Sequence, residues 1–466
     1  MREFICLLLL TILVGVLVGC GENAEPVIEQ LIIPETAEPG NRVTFQVVAH
    51  DPDGDVLIYT WVVNNTRLTA TTSTVEWTVP EGVEVVTIEV HVSDGENTPI
   101  IQQQSLAIGK LPIDLAEIEP PEFVPPVDLS KHSVPLDEIF FDTFQPVNRA
   151  VPLSKASAEL IEELRDAIPP LNNPKYESAA EATWLDDRDV IIGYADAGQA
   201  WAYPTRIMNF HEIVNDTLAG EPILISFCPL CFSGIVFSRH LENRTLTFGN
   251  TSALFESDMV MLDYETGSYW WQVAGRAIVG TLTDKILTLL PSFTGTWGEW
   301  RNLHPETQVL SRDTGFPRDY SFDPFRDYPE SVNRGKFAFP VSEAVKDPRL
   351  AAGEKVLAVK VGNDVKAYPV AKLGLAAIMD TIGGQSIVVF TNEESGAAFK
   401  PIAVGRTLTF EVRNGQFTDQ ETSSIWNLAG QAIDGPLKGA QLPPVPTKTT
   451  FWFSIVAAEP GITVYR

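Results

Sequence analysis

The chain has 466 residues, 44% of them hydrophobic, and a formal net charge of −28. That length has room for about three domains with packed cores, and so acidic a balance argues against nucleic acid or anionic lipid as partners, because phosphate binding needs clustered Lys and Arg. No Gly-rich phosphate loop, Gly-x-Ser-x-Gly elbow or His-Glu-x-x-His helix occurs, so nucleotide and hydrolase chemistry lack support.

Arg2 precedes an apolar run over residues 4–18 that closes on Gly19 and Cys20. This predicts a secretory signal peptide at residues 1–19, too short for a stable membrane span. An uncleaved anchor is the alternative. Leu17-Val-Gly-Cys20 resembles the lipobox of bacterial lipoproteins. The resemblance implies lipid on Cys20, a polar tether over residues 20–27 and durable attachment to a membrane. The expected location is the cell envelope, periplasmic or surface-facing, where disulfides persist.

Residues 28–109 carry alternating strand patterns, Gly and Pro turns and Trp61, which predict a β-sandwich. Ala49-His-Asp-Pro-Asp-Gly-Asp55 and Val92-Ser-Asp-Gly-Glu-Asn97 resemble the polycystic-kidney-disease type of immunoglobulin-like module. That implies spacing or adhesion. Asp51, Asp53 and Asp55, with Asp94, offer hard oxygen ligands for Ca²⁺, or else cap turns with their side chains. Residues 110–135 are rich in Pro and acidic residues and read as a stiff linker.

The rest repeats itself. Ala202-Tyr-Pro204 recurs as Ala367-Tyr-Pro369, Arg244-Thr-Leu-Thr-Phe248 as Arg406-Thr-Leu-Thr-Phe410, and Gly275-x-Ala-Ile-x-Gly280 as Gly430-x-Ala-Ile-x-Gly435. The matches keep their order, which predicts a duplicated lobe: residues 136–345 and 346–466. Each lobe reads as a hairpin, a helix opened by Pro (residues 205–213 in the first) and further short strands. Short connections favour antiparallel pairing. The fold class expected is thus β-rich α+β, a sandwich followed by two mainly antiparallel α+β lobes.

Of four cysteines, Cys6 leaves with the signal and Cys20 takes lipid, so the mature chain keeps Cys228 and Cys231, set as Phe227-Cys-Pro-Leu-Cys231. The second lobe has Thr391-Asn-Glu-Glu394 there instead, so the first lobe carries the chemistry and the second is expected to serve as structure, including the wall of a shared cleft. Three readings stay open. In the first, Cys228 is a redox nucleophile, Cys231 the resolving thiol and His211 the acid/base neighbour. The run after the cysteines is β-like, which excludes a thioredoxin fold. In the second, the pair joins His211, or else His240 or His304, around zinc or copper. In the third, the pair is structural within a non-enzymatic binding module. Glu212 is expected to face away from His211 on a regular helix. Asp216, Arg244, Asp263 and Trp271 are candidates for a cleft.

His211-Glu-Ile-Val-Asn-Asp216, Phe227-Cys-Pro-Leu-Cys231, Leu246-Thr-Phe-Gly249, Asp258-Met-Val-Met261 and Trp297-x-x-Trp300 together resemble a family of bacterial envelope proteins known as domain of unknown function 3179. The family name implies no activity. Selenocysteine in this motif of some members implies redox work. The redox or protein partner is unknown from sequence.

Overall fold

The computed structural model describes residues 23–34, 36–37, 39–63, 66–80, 85–95, 97, 99–108, 123–145, 149–321 and 323–466. The signal segment, Cys20 and the middle of the Pro-rich stretch lie outside the described residues. The chain divides into two units, Met1–Asp114 and Leu115–Arg466. Among the described residues no helix is long and apolar enough to cross a membrane.

In the first unit, alternation gives each strand one apolar face. Val27–Ile32, Arg42–His50 and Thr74–Thr78 form one sheet. Ile58–Val63, Val85–Ser93 and Ile100–Ile108 form the centre of the other. Phe45 and Trp61 meet from opposite sheets with ring centroids 6.2 Å apart, and both are fully buried. The indole Nε1 of Trp61 donates to the Thr72 carbonyl at 2.9 Å, so its one polar atom is satisfied in the core. The unit is an immunoglobulin-like β-sandwich.

The Asp-rich turn of this unit is held by its own carboxylates. Asp51 Oδ1 accepts the backbone N–H of Asp53 at 2.8 Å and of Asp55 at 3.2 Å, and Asp53 accepts Ala24 N–H at 2.7 Å. Among the described residues Asp51, Asp53 and Asp55 are not gathered into a three-carboxylate cluster, and the hydrogen bonds they make are those of turn capping, the alternative to Ca²⁺ binding.

The second unit is β-rich α+β and mainly antiparallel. Each half runs through the same order. A hairpin (Val190–Asp196 with Gln199–Pro204; Lys355–Val361 with Asp364–Tyr368) leads into a short helix (Thr205–His211; Val370–Leu373). Three antiparallel strands follow: Ile213–Leu218, Glu221–Cys228 and Ser233–Ser238 in one half, Ala376–Ile382, Gln385–Thr391 and Gly396–Phe399 in the other. A four-stranded meander comes next, and a strand–helix–strand unit closes the half (Phe293–Thr296, Trp297–Leu303, Gln308–Leu310; Thr447–Phe451, Trp452–Ala458, Thr463–Val464). The last strand of each unit pairs parallel with its hairpin, an exception to the expected antiparallel order.

Two boundaries differ from the sequence reading. The Pro-rich stretch stops acting as a spacer before residue 135: Ser133 N–H donates to Ile278 O at 2.9 Å, Gly280 N–H to Lys131 O at 2.8 Å, and Val124, Val127 and Val134 pack on the core. The two lobes are also not separate sheets. Thr447–Phe451 pairs with Lys355–Val361 and, at Gly234↔Thr449, with Ser233–Ser238, so one eight-stranded sheet crosses both halves.

The residues that made the repeat visible are those that lock its turns. Asp263, fully buried, accepts from Trp270 Nε1 at 2.8 Å and Thr266 N–H at 2.7 Å. Asp419 does the same with Trp426 Nε1 at 3.0 Å and Thr422 N–H at 2.6 Å. Gly280 and Gly435, at φ of 104° and 89°, bring their backbone so close to Ser268 and Ser424 that a Cβ would lie 2.7 Å from a Cα. Asp263 is therefore a structural group and not a cleft residue. Replacing Asp263 or Asp419 by Ala leaves several buried donors unmet, so each is expected to cost about 3 kcal/mol, read as a lower midpoint of urea unfolding.

Candidate functional site

The strand Glu221–Cys228 is buried along nearly its whole length and delivers Cys228 to the sheet end. The chain reverses through Pro229 and Leu230, with Cys231 N–H donating to Cys228 O at 3.2 Å. Phe232 takes a left-handed φ of 53°, and Cys228 pairs with Ser233 on the return strand. The second half clamps this turn: Phe451 N–H and Thr450 Oγ1 both donate to the Cys231 carbonyl, at 2.8 and 3.0 Å. Phe232 stacks on Phe451 at 5.5 Å, with Lys355 Nζ 3.7 Å from its centroid. The second half thus holds the turn; the cavity beside Cys228 is lined by other residues.

The thiols are unbridged, with Sγ atoms 2.9 Å apart and exposures of 1% and 0%. Asp258 opens the strand Asp258–Asp263 after two residues of positive φ, Glu256 and Ser257. A ligand oxygen of its carboxylate lies within 4.8 Å of both sulfurs. Oδ2 accepts Val273 N–H at 3.1 Å, whereas the buried Oδ1 has no hydrogen-bond partner. The Val273 carbonyl in turn accepts the buried Lys448 Nζ at 2.6 Å.

Burial pushes both thiols up, Cys231 strongly, and the negative charge of Asp258 adds to it. Burial also pushes Asp258 up to about 6, against the pull of the two neighbouring thiols and of the Val273 and Met259 backbone. Glu212 is pushed up to about 8 by burial, while its bond from Asn250 Nδ2 at 2.6 Å works the other way. The resting site therefore holds protonated thiols beside carboxyl groups able to exchange protons near neutral pH.

Cys228 lines a cavity of about 270 Å³ together with Glu212, Asn250, Leu230, Phe325 and Phe339. Arg149 and Asp142 lie in its wall as a two-pronged ion pair, with contacts of 2.7–3.2 Å. A more open recess of about 600 Å³ shares Leu230, Phe325 and Arg149 with it.

His211 is not brought to the thiols. Its Nδ1 pairs with the Pro169 carbonyl at 2.8 Å and its Nε2 with Tyr320 Oη at 2.7 Å, and burial pushes it down to about 4. The helix ends at His211, and Glu212 takes a left-handed φ of 58°, so the glutamate turns into the cavity. A continuous helix would have kept it away. His240 lies on the surface against Thr245 Oγ1, and His304 packs on Trp300; neither belongs to the ligand cluster. The other proposed cleft residues do not converge. Asp216 bonds Tyr176, Arg244 is exposed on a two-residue strand, and Trp271 packs edge-on against Phe255 at 4.8 Å. The groups that do gather near the thiols are Glu212, which was expected to face away, Asn250 and Asp258.

A family profile described as "Protein of unknown function (DUF3179)" matches residues 165–461. A search of curated proteins returned no match. Among solved structures, the chain is similar to the N-terminal Ig1-2 module of the Drosophila receptor protein tyrosine phosphatase DLAR, at 15% identity over 18% of this chain. The match spans half of that chain, with a TM-score of 0.16. A quinonprotein alcohol dehydrogenase-like protein from Bacteroides thetaiotaomicron matches 92% of this chain and 99% of its own at 10% identity, TM-score 0.16. The SGBP-B protein of a Bacteroides ovatus mixed-linkage glucan utilization locus matches 92% and 100% at 9% identity, TM-score 0.16. At those TM-scores none of the three bears on activity.

Glu212 sets a pH dependence of stability. Its folded value near 8 exceeds the unfolded value near 4.5, so the unfolded chain gives up this proton first. Its contribution is full below pH 4.5 and is lost as pH rises towards 8. Glu212→Gln should flatten that part of the profile, a difference on the order of a few kcal/mol, measured by urea unfolding from pH 5 to 8.

Proposed function

We propose, starting from a chain that belongs to the DUF3179 family of proteins of unknown function, that Cys228 and Cys231 form a buried dithiol–disulfide couple. The observation that carries this reading is the 2.9 Å approach of two unbridged sulfurs, one of which opens on a cavity. Two thiolates on a tetrahedral metal, with bonds near 2.3 Å, stand about 3.8 Å apart. The observed pair is closer than that and favours joining to each other.

The cavity supports an order of events. Cys228 lines it and Cys231 does not, so Cys228 is the nucleophile. Its thiol gives a proton to the Asp258 carboxylate, the thiolate attacks one sulfur of a disulfide substrate, and the first leaving thiolate takes that proton from Asp258, which can then accept the proton of Cys231 and pass it to the second. Cys231 then displaces the second thiol from the mixed disulfide, and two electrons have passed from the protein to the substrate. No cation is needed at the sulfurs, because Asp258 removes the proton as the bond forms.

A second reading rests on Asp258 Oδ1, the buried oxygen without a partner, which with the two sulfurs makes a three-donor set. Zinc suits two thiolates and a carboxylate, and copper(I) the sulfurs alone. The sulfurs would first have to part by about 0.9 Å.

We further propose that the chain works on the cell envelope, tethered by lipid on Cys20, where an oxidised pair persists. Cys20→Ser should move it from the membrane to the soluble fraction and abolish labelling by a fatty acid. For the thiol site, the first measurement counts free thiols and bound metal in protein purified without chelator, before and after mild reductant. Two thiols that appear on reduction, without metal, support the couple; about one tightly held zinc or copper per chain overturns it. Cys228→Ser should abolish disulfide turnover while the unfolding midpoint stays near its original value. Asp258→Asn should slow closure of the pair at pH 7 by about 10²-fold and remove the inflection near pH 6 from its pH profile.

A further inference from the structure

Access to the thiols is the least ordinary property of this site. Dithiols that trade electrons with other proteins must present a sulfur at the surface, because a protein disulfide arrives with its own backbone on both sides. Here Cys231 is fully buried and Cys228 is 1% exposed. The cavity beside Cys228, at about 270 Å³, is just under the roughly 300 Å³ at which drug-sized pockets begin. Leu230 and Phe325, which also border the outer recess, stand on the way in.

The lining selects chemistry as well as size. Ile168, Leu254, Phe325 and Phe339 give it an apolar wall. Its one cation, Arg149, is already held by Asp142 through both carboxylate oxygens. Arg326 lines the outer recess together with Asp323 and Asp327, but inside the cavity the remaining ionisable groups near the thiols are acids, Glu212 in the wall and Asp258 beside the sulfurs. An anion entering this space would lose its hydration, meet carboxyl groups and find no free cation, which is unfavourable on every count.

We propose that the substrate of Cys228 is a small, uncharged disulfide with apolar substituents, admitted past Leu230 and Phe325, and that protein disulfides and anionic disulfides are excluded. This rests on the dithiol reading above and adds the substrate class. The reaction balances without another partner. Cys228 displaces one small thiol and forms a mixed disulfide; Cys231 displaces the second; the products are two small thiols and the Cys228–Cys231 disulfide.

The test uses the whole reduced chain with three oxidants: diethyl disulfide, oxidised glutathione and the disulfides of insulin. Loss of the two thiols is followed by mass, and each rate is divided by that of free cysteine with the same oxidant. Diethyl disulfide is expected to lead oxidised glutathione by at least about tenfold on this scale, with insulin slower still. Leu230→Trp, which fills the entrance, should slow diethyl disulfide by about tenfold without moving the reduction potential of the pair. Phe325→Ala, which widens the entrance, should narrow the discrimination against glutathione. Equal normalised rates for the three oxidants overturn the inference. So does a pair that closes under a copper–phenanthroline oxidant but not with diethyl disulfide, and that result leaves the dithiol reading standing. A pair that closes under no oxidant overturns the dithiol reading itself.

Discussion

Phe451 N–H and Thr450 Oγ1 end on the same carbonyl, that of Cys231. A turn at a sheet end would ordinarily meet water and move. This one is covered by a strand that arrives more than two hundred positions later in the chain, and its backbone is satisfied by that strand. The position of both sulfurs, their distance from Asp258 and their isolation from solvent follow from this closure. The Phe232–Phe451 stack makes the same contact apolar, so the clamp combines hydrogen bonds with excluded water.

Closure also fixes the electrostatics. Desolvation disfavours every charged form, and here it acts on two thiols and two carboxyls together. The cations in reach are occupied: Arg149 by Asp142, Lys448 by the Val273 carbonyl. At neutral pH the thiols and Glu212 therefore stay protonated, whereas Asp258, near 6, can take up a proton, and any chemistry that removes a proton from a thiol has a carboxylate beside it to deliver it to. A reactive cysteine that depends on a helix N-terminus or a neighbouring cation stabilises its thiolate at rest. This site stores the proton instead and releases it only when a bond to sulfur forms.

Much of the architecture was legible because its signals are local. The alternation that makes the sandwich, the three ordered matches of the repeat and the Asp–Thr–Ser–Trp turn that they encode all lie within short spans of sequence. The sheet common to both halves was not legible, since its link is the single register pair Gly234↔Thr449 between residues far apart in the chain. The choice of His211 over Glu212 failed at one dihedral angle. Helical spacing would have separated the two side chains, but the helix stops at His211 and Glu212 is left-handed. Asp258 looked like any acidic residue at the start of a strand, and only the fold brings it to the cysteines. The end of the Pro-rich stretch was misread because composition reports stiffness and not where a chain docks.

The duplication explains why such a closed site was available at all. The second half's counterpart of the cysteine turn satisfies itself, with Asn392 Oδ1 accepting the N–H groups of Glu394 and Ser395 at 2.9 and 2.7 Å. It then docks on the first half: Ser395 Oγ donates to Glu299 at 2.6 Å, and Asn392 Nδ2 bonds the same carboxylate. Glu299 lies on the helix that follows the first half's closing strand, as Thr450 and Phe451 lie on the strand before the second half's closing helix. Each half thus presents its closing strand–helix unit to the other's turn. One of the two contacts needs only a polar turn to hold the halves together. The other has the same structural support but no polar side chain in the turn between Cys228 and Cys231, and that freedom leaves room for two thiols whose chemistry the scaffold does not require.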